Sequence, residues 1–221
     1  MSMPSTIAID GPVASGKSTV GRRLAQRLGY RFVDTGAMYR ALTVEAVRVG
    51  IDLEDEAALA RLAQDTAIDI ESSEGNRVIV NGRDVTAELR SDAVERGVSP
   101  VSKVAGVRTV LVKKQQAMAV GGGIVMAGRD IGTNVLTGAD LKIYLDVSVE
   151  EQARRRYNEL LALGEDVEYQ AILDNLIRRD RIDSSRSANP LRPADDAVRI
   201  DTDKMDEDGV VEYIIKLVNE R

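Results

Sequence analysis

The sequence predicts an α/β fold, a parallel sheet flanked by helices with a small antiparallel β insertion. Three observations predict it. The β-branched run Thr6-Ile7-Ala8-Ile9-Asp10 stops abruptly at a glycine-rich turn. Lys17 to Leu28 follows at once, with Val20, Leu24 and Leu28 at helical spacing. The order strand, loop, helix, strand, helix is the pattern of a doubly wound sheet.

The elements follow in order. Thr6–Asp10 is apolar enough for a buried strand, and Gly29 closes the first helix as a C-cap. Arg31–Asp34 reads as a second short strand. Ala37–Val49 reads as a helix stopped by Gly50, and Asp55–Gln64 as another. The middle changes character. Ile68-Asp69-Ile70 and Val78-Ile79-Val80 flank Ser72–Asn76, and Asn81-Gly82 follows, which predicts a hairpin. Residues of about 66–87 are therefore read as an insertion. Val107–Ala119 is helical in pattern and ends at Gly121-Gly122-Gly123. Ile124–Ala127 and Leu141–Val147 are strands of a central sheet. Arginine-rich helices are expected near 149–163 and 168–182, a last strand at Ala197–Ile200, and a terminal helix near 207–220. With 221 residues, the expectation is one domain over 1–221.

Composition removes several chemistries. The chain has no cysteine and no histidine. Disulfides, thiolate metal sites, cysteine nucleophiles and imidazole bases are thereby excluded, and a cytoplasmic setting is compatible. The first residues lack a cationic stretch followed by an apolar run, so no signal peptide is expected. No stretch has the length of a membrane span. A formal charge of −6 argues against a broad nucleic-acid-binding face. Clustered arginines still suit a small polyanion: Arg154, Arg155 and Arg156 are consecutive, and Arg178, Arg179, Arg181 and Arg186 form a second group. Solvated helix faces would explain many of these equally well.

Gly11-Pro12-Val13-Ala14-Ser15-Gly16-Lys17-Ser18, followed by Thr19, matches G-x-x-x-x-G-K-[ST] in full. The glycines let successive backbone N–H groups curl toward one centre, and the helix that starts there favours phosphate. Lys17 reaches the outer phosphates, and the Ser18 hydroxyl can ligate Mg²⁺. The match lies between the first strand and the first helix, where the mechanism needs it. The fold class sharpens to a P-loop NTPase-type sheet that binds ATP or GTP. No guanine-specifying N/T-K-x-D candidate is seen, and further arginine–aspartate groups favour a kinase with two polyanions to hold.

Three such groups stand out. Asp34-Thr35-Gly36-Ala37-Met38-Tyr39-Arg40 opens a helix, where Thr35 can serve a phosphate or merely cap. Gly128-Arg129-Asp130-Ile131-Gly132-Thr133 follows a central strand, and ligands gather at the carboxyl ends of such strands. Arg179, Asp183 and Arg186 share one face if their helix persists; an ordinary ion pair on a solvated face is the plain alternative.

Together with Ile9–Ser18, these segments resemble the bacterial cytidylate kinases over about residues 6–205. The P-loop is shared widely, whereas the combination of the other three is specific. Leu136-Thr137-Gly138-Ala139 departs from the Phe-Pro-Asp-Ala often found there, and Lys113-Lys114-Gln115-Gln116 is less usual. The resemblance implies ATP as donor, Mg²⁺, and CMP, with dCMP, as acceptor. It places Thr35 and Arg40 in the monophosphate pocket and Ser99, Arg108 and Asp130 near the cytosine ring. Arg129 and Arg186 would hold phosphates, and Arg179 and Asp183 would face ribose and phosphate. Arg154 to Arg156 would belong to a lid of about 150–168 closing over ATP, with Arg154 and Arg156 binding it. A monomer is the family expectation.

The acceptor is a phosphate oxygen that is already anionic near neutral pH, so the absence of histidine is no obstacle. Lys17, Arg129 and Arg186 are the expected catalytic side chains. The second Mg²⁺ ligand stays open among Asp10, Asp34 and Asp146, which all end strands. Rival readings are another small P-loop kinase, for shikimate, a sugar acid or dephospho-coenzyme A, and a nucleotide-switched binding module.

Overall fold

The computed structural model describes residues 5–71, 77–186 and 189–220. The chain divides into two compact units, residues 1–32 with 122–221, and residues 33–121.

The first unit contains β1 (Thr6–Asp10) and α1 (Lys17–Leu28). β2 (Arg31–Asp34) crosses the unit boundary. After the second unit come β6 (Ile124–Gly128), β7 (Leu141–Asp146), α6 (Val149–Ala162), α7 (Tyr169–Ser185), β8 (Val198–Asp201) and α8 (Glu207–Asn219). The strand order is β2-β6-β1-β7-β8. β1 lies parallel to both neighbours, with Asp10 beside Gly128 on one side and Tyr144 on the other. Asp146 likewise stands beside Asp201. The central strands therefore end level with one another, and the loops leaving them emerge at one edge of the sheet.

The apolar runs dictate this arrangement. Ile7, Ala8 and Ile9 on β1 and Ile124 to Ala127 on β6 are buried, as strands covered on both faces require. Val20 and Leu24 of α1 pack with Ile9, Val125, Ile143, Leu145 and Ile214 in one core. Gly21 lets α1 settle on β2: a Cβ there would stand 2.5 Å from the Phe32 ring. Outside this core, Arg23 and Arg27 of α1 reach Asp208 and Glu212 of α8 as exposed ion pairs, which contribute little.

The second unit holds α2 (Thr35–Val49), α3 (Glu56–Asp65), β3 (Ile68–Glu71), β4 (Arg77–Val80), β5 (Arg83–Asp84), α4 (Asp92–Lys103) and α5 (Ala105–Met118). Its core gathers Met38, Leu42, Leu59, Val98, Val101, Val107 and Leu111. β3 and β4 pair antiparallel, with Ile68 opposite Val80 and Ile70 opposite Val78. Asn81 and Gly82 both take positive φ, 49° and 79°, and turn the chain into β5. The expected hairpin is thus a three-stranded sheet. The expected Ser72–Asn76 turn lies outside the described residues.

Several boundaries differ from expectation for physical reasons. α2 begins at Thr35 rather than Ala37, because the Asp34 carboxylate accepts the Gly36 N–H at 2.9 Å and caps the helix. α7 runs to Ser185, past the expected 182. α4 has no counterpart in the sequence reading, since Gly97 and Pro100 are both helix-disfavouring. Gly97 is needed by packing instead: a Cβ there would lie 2.6 Å from Leu53 Cδ1 and 2.9 Å from Thr43 Cγ2. Among the described residues, no helix is long and apolar enough to cross a membrane.

Candidate active site

The loop between β1 and α1 has the backbone of an anion cradle. Ala14 and Gly16 take positive φ, 55° and 85°, within a run whose other N–H groups precede a helix. Alternation of this kind turns successive amides toward one point, and α1 adds its dipole. Gly11 cannot be replaced cheaply. Its φ is 153°, and a Cβ would stand 2.5 Å from the Leu145 carbonyl oxygen, a backbone atom that cannot swing aside. Gly11→Ala is expected to cost about 1–3 kcal/mol of folding stability, measured by urea unfolding. A cost within error would mean that the loop has another low-energy path.

Lys17 is buried, and its Nζ donates to the Pro12 carbonyl and to Ser15 Oγ at 3.1 Å. Ser18 sits in the first turn of α1, half-buried. Arg155 reaches this loop from α6, its Nη1 donating to the Ala14 carbonyl at 3.3 Å. The other two arginines of this run pair along their own helix. Arg154 pairs with Glu151 at 2.7 Å, and Arg156 with Glu159 at 2.8 Å, all on α6 itself. All three arginines were expected in the lid; helix phase is what singles out Arg155 for the contact with Ala14.

The turn after β6 brings Arg129 to the same loop. Its Nη1 donates to the Gly11 carbonyl at 3.0 Å, and its Nε donates to Asp183 Oδ2 at 2.8 Å. Arg186 lies just beyond α7, with Nη2 at 3.6 Å from Asp183 Oδ1 and Nε donating to the Asp183 carbonyl. Burial pushes the Asp183 carboxyl up, but Arg129, Arg186 and Arg179 outweigh it and hold it below the ordinary value. Lys17, Arg129, Asp183 and Arg186 thus belong to one chain of contacts on the first unit. The plain alternative for the last pair, a solvated ion pair, does not apply: the Asp183 and Arg186 side chains are only 15% and 7% exposed.

Asp130, next in the chain, is buried, and Asn134 Nδ2 donates to its Oδ2 at 3.0 Å. The segment Ile131–Val135 forms a single π turn, with Val135 N–H donating to the Asp130 carbonyl and Leu136 N–H to the Ile131 carbonyl. Such turns interrupt regular structure and recur at functional sites. Asp10 anchors this one. Its Oδ1 accepts the Ile131 N–H and its Oδ2 the Gly132 N–H, each at 2.7 Å. Each oxygen thus accepts one amide N–H and keeps a further lone pair. Of the other two strand-ending carboxylates, Asp34 caps α2 and Asp146 Oδ2 accepts from Arg199 at 2.8 Å.

The second unit holds four more of the expected residues. Thr35 is buried at the start of α2. Arg40 is held in place by Glu95 on α4, with Nη1 donating to Oε1 at 2.8 Å and to the Leu89 carbonyl at 3.1 Å. Arg108 is buried, with its guanidinium 5.6 Å from the Tyr39 ring centroid and Nη1 donating to the Ser102 carbonyl. Ser99 is half-buried on α4, and its carbonyl accepts from Ser102 Oγ. Glu95 carried no sequence signal, since an acidic residue in a helix is ordinary.

Comparison with known proteins bears on this geometry. Solved structures of similar architecture include a gluconokinase from Sinorhizobium meliloti, with TM-score 0.53 and 14% identity, covering 100% of this chain and 94% of that one. A shikimate kinase from Bacteroides thetaiotaomicron gives TM-score 0.50 and 13% identity over 97% and 98% of the two chains. At such identities the likeness establishes the fold, that of P-loop kinases. Curated relatives are far nearer. A cytidylate kinase of Geobacillus kaustophilus is 52% identical over 98% of this chain and 97% of its own. One of Bacillus subtilis is 46% identical over the same shares. The sequence profile of the family described as cytidylate kinase matches residues 7–220. With the cradle, the arginine chain and the nearly full-length match in hand, the chain belongs to the cytidylate kinase family.

Proposed function

We propose that this protein transfers the γ-phosphoryl group of ATP to CMP, and also to dCMP, giving ADP and the nucleoside diphosphate. One observation carries the reading furthest: Arg129 bonds the Gly11 carbonyl of the phosphate loop while its neighbour Asp130 lies buried one residue on. One turn would thus supply both a cation for phosphate and a carboxylate for the base. Family membership and near-complete coverage by curated cytidylate kinases support it. The sugar-acid, shikimate and switch-module readings have no comparable support.

The loop amides and Lys17 would hold the donor phosphates, with Arg154 and Arg156 on the ATP side. Thr35 and Arg40 would take the acceptor phosphate, and Arg129, Arg179, Asp183 and Arg186 would bring charge to the transferring group. Ser99, Arg108 and Asp130 would read cytosine: a carboxylate accepts from its amino group, and a guanidinium donates to its carbonyl. Ser18 offers the hard oxygen that Mg²⁺ prefers, beside the loop. Bound there, the ion would neutralise charge on the outer phosphates. The acceptor oxygen is anionic already, so the protein's task is alignment and charge stabilisation. We read the enzyme as a cytoplasmic monomer acting on small nucleotides, with residues of about 150–168 closing over ATP to keep water out.

The test is ADP release at fixed ATP and Mg²⁺ across CMP, dCMP, UMP, AMP and shikimate. CMP and dCMP are expected to be the fast acceptors. Turnover with shikimate, or none with CMP, would overturn the assignment. Asp130→Ala is expected to reduce the CMP-to-UMP ratio of kcat/KM about tenfold or more. An unchanged ratio would remove Asp130 from base reading.

A further inference from the structure

We propose that Asp10 is a positioning residue for phosphoryl transfer: its carboxylate clamps the turn after β6 and thereby fixes Arg129 and Asp130 relative to the Lys17 loop. The inference rests on the CMP kinase reading and deepens it.

The geometry begins with the sheet. β1 and β6 are parallel neighbours, and Asp10 ends β1 level with Gly128 at the end of β6. Beyond these residues the two chains part. One becomes the phosphate loop, starting at Gly11; the other becomes the turn carrying Arg129 and Asp130. No ladder bond can hold two loops after their strands have ended. Asp10 supplies the missing connection across the gap, with two consecutive N–H groups, Ile131 and Gly132, each donating to a separate carboxylate oxygen at 2.7 Å. Arg129 makes a second tie, from the other side, to Gly11, the residue after Asp10. The two loops are therefore fastened at Asp10 and Gly11 on one and on either side of Asp130 on the other.

The residue type is informative. Asp10 is 3% exposed, and burial is the main reason its carboxyl is pushed up to about 6, despite the lowering effect of the two amide bonds and of Lys17. Asp130 faces it and raises it further, and Tyr144 on β7 also lies within its field. A buried charge beside another carboxylate is a costly way to terminate a strand. Only an ionised carboxylate presents two acceptors of equal strength to two neighbouring amides. The fit is close as well. A Cβ on Gly132 would stand 3.3 Å from Asp10 Oδ2 and 3.1 Å from Lys142 Cδ, tight enough that turn or neighbours must give by a few tenths of an ångström. A displacement of the order of 1 Å at such a place can cost about 10²-fold in rate.

Asp10→Asn tests this. The amide retains the shape but turns an NH₂ group toward one of the two N–H donors, so one side of the turn must lift. Steady-state ADP release is measured with CMP and with UMP on folded protein, alongside thermal unfolding. The expected result is kcat with CMP lowered about 10- to 100-fold, KM for ATP changed less than about threefold, and a smaller CMP-to-UMP ratio. Gly132→Ala leaves the carboxylate intact and displaces the turn, and it is expected to show the same split. A folded Asp10→Asn protein with wild-type kcat and wild-type acceptor ratio would overturn the proposal. So would failure of both variants to fold, which would assign the contact to stability alone. Absence of CMP-dependent turnover in the wild-type enzyme would instead strike the CMP kinase reading itself.

Discussion

Lys17→Ala is expected to lower kcat about 10³-fold while leaving the fold in place. The ammonium bonds Pro12 and Ser15 of the loop proposed to carry the donor phosphates. Charge accumulates on the γ-phosphoryl oxygens as it transfers, so a fixed cation there matters more in the transition state than in the ground state. No histidine or cysteine exists to substitute for it. The core of the first unit, built on Ile9, Leu24, Val125 and Ile143, does not include the Lys17 side chain. The melting temperature should therefore shift by only a few degrees, about what 1 kcal/mol produces in a chain of this size. ADP release and thermal melting on the same preparation check both halves. Full activity would refute the role.

Arg129→Leu should be nearly as damaging to rate, about 10²- to 10³-fold, and should also destabilise the protein by about 2 kcal/mol. The second effect comes from Asp183, which loses its 2.8 Å bond while remaining largely buried. Arg186, 3.6 Å away, remains beside it. Arg129→Lys would keep the charge but cannot present donors to Gly11 and Asp183 together as the fork does. Combining Arg129→Leu with Asp183→Asn should recover stability without recovering turnover, which separates the structural debt from the catalytic one. The pH dependence has a defined sign. Asp183 is held below its unfolded value of 3.8, so its contribution is full above that value and is lost as pH falls through the lower folded one. In Arg129→Leu this acid-side loss should shrink, as followed by urea unfolding between pH 2 and pH 5. An unchanged stability profile would mean that Arg129 and Asp183 are not energetically coupled.

What could be read from residues alone was whatever depends on local chemistry. The β-branched run of β1, the apolar spacing of α1 and the glycine at its end state a strand, a helix and a cap in short range. The P-loop was legible because its residue types are dictated by backbone curvature and phosphate charge. The Asp34–Arg40, Gly128–Thr133 and Arg179–Arg186 groups were legible as segments, through their mixture of charge and glycine. Long-range pairing was not. Nothing near Asp10 announces that its two oxygens meet amides more than a hundred residues later. Glu95 is an unremarked helix residue until folding sets it against Arg40. α4 escaped because Gly97 and Pro100 oppose a helix locally, and tertiary packing against Leu53 and Thr43 overrides them. Thr35 was weighed as a cap, a role that falls to Asp34 because the residue before it is still extended.

The central claim is that donor and acceptor phosphates are aligned end to end by the Lys17 loop and the arginines around Asp183. A bisubstrate analogue, adenosine and cytidine joined by five phosphates, measures it directly by calorimetry. The account predicts one molecule bound per chain, at least about 100-fold more tightly than ATP. Lys17→Ala and Arg129→Leu should each remove most of that gain. Binding of the analogue no tighter than ATP, or binding indifferent to both substitutions, would contradict it.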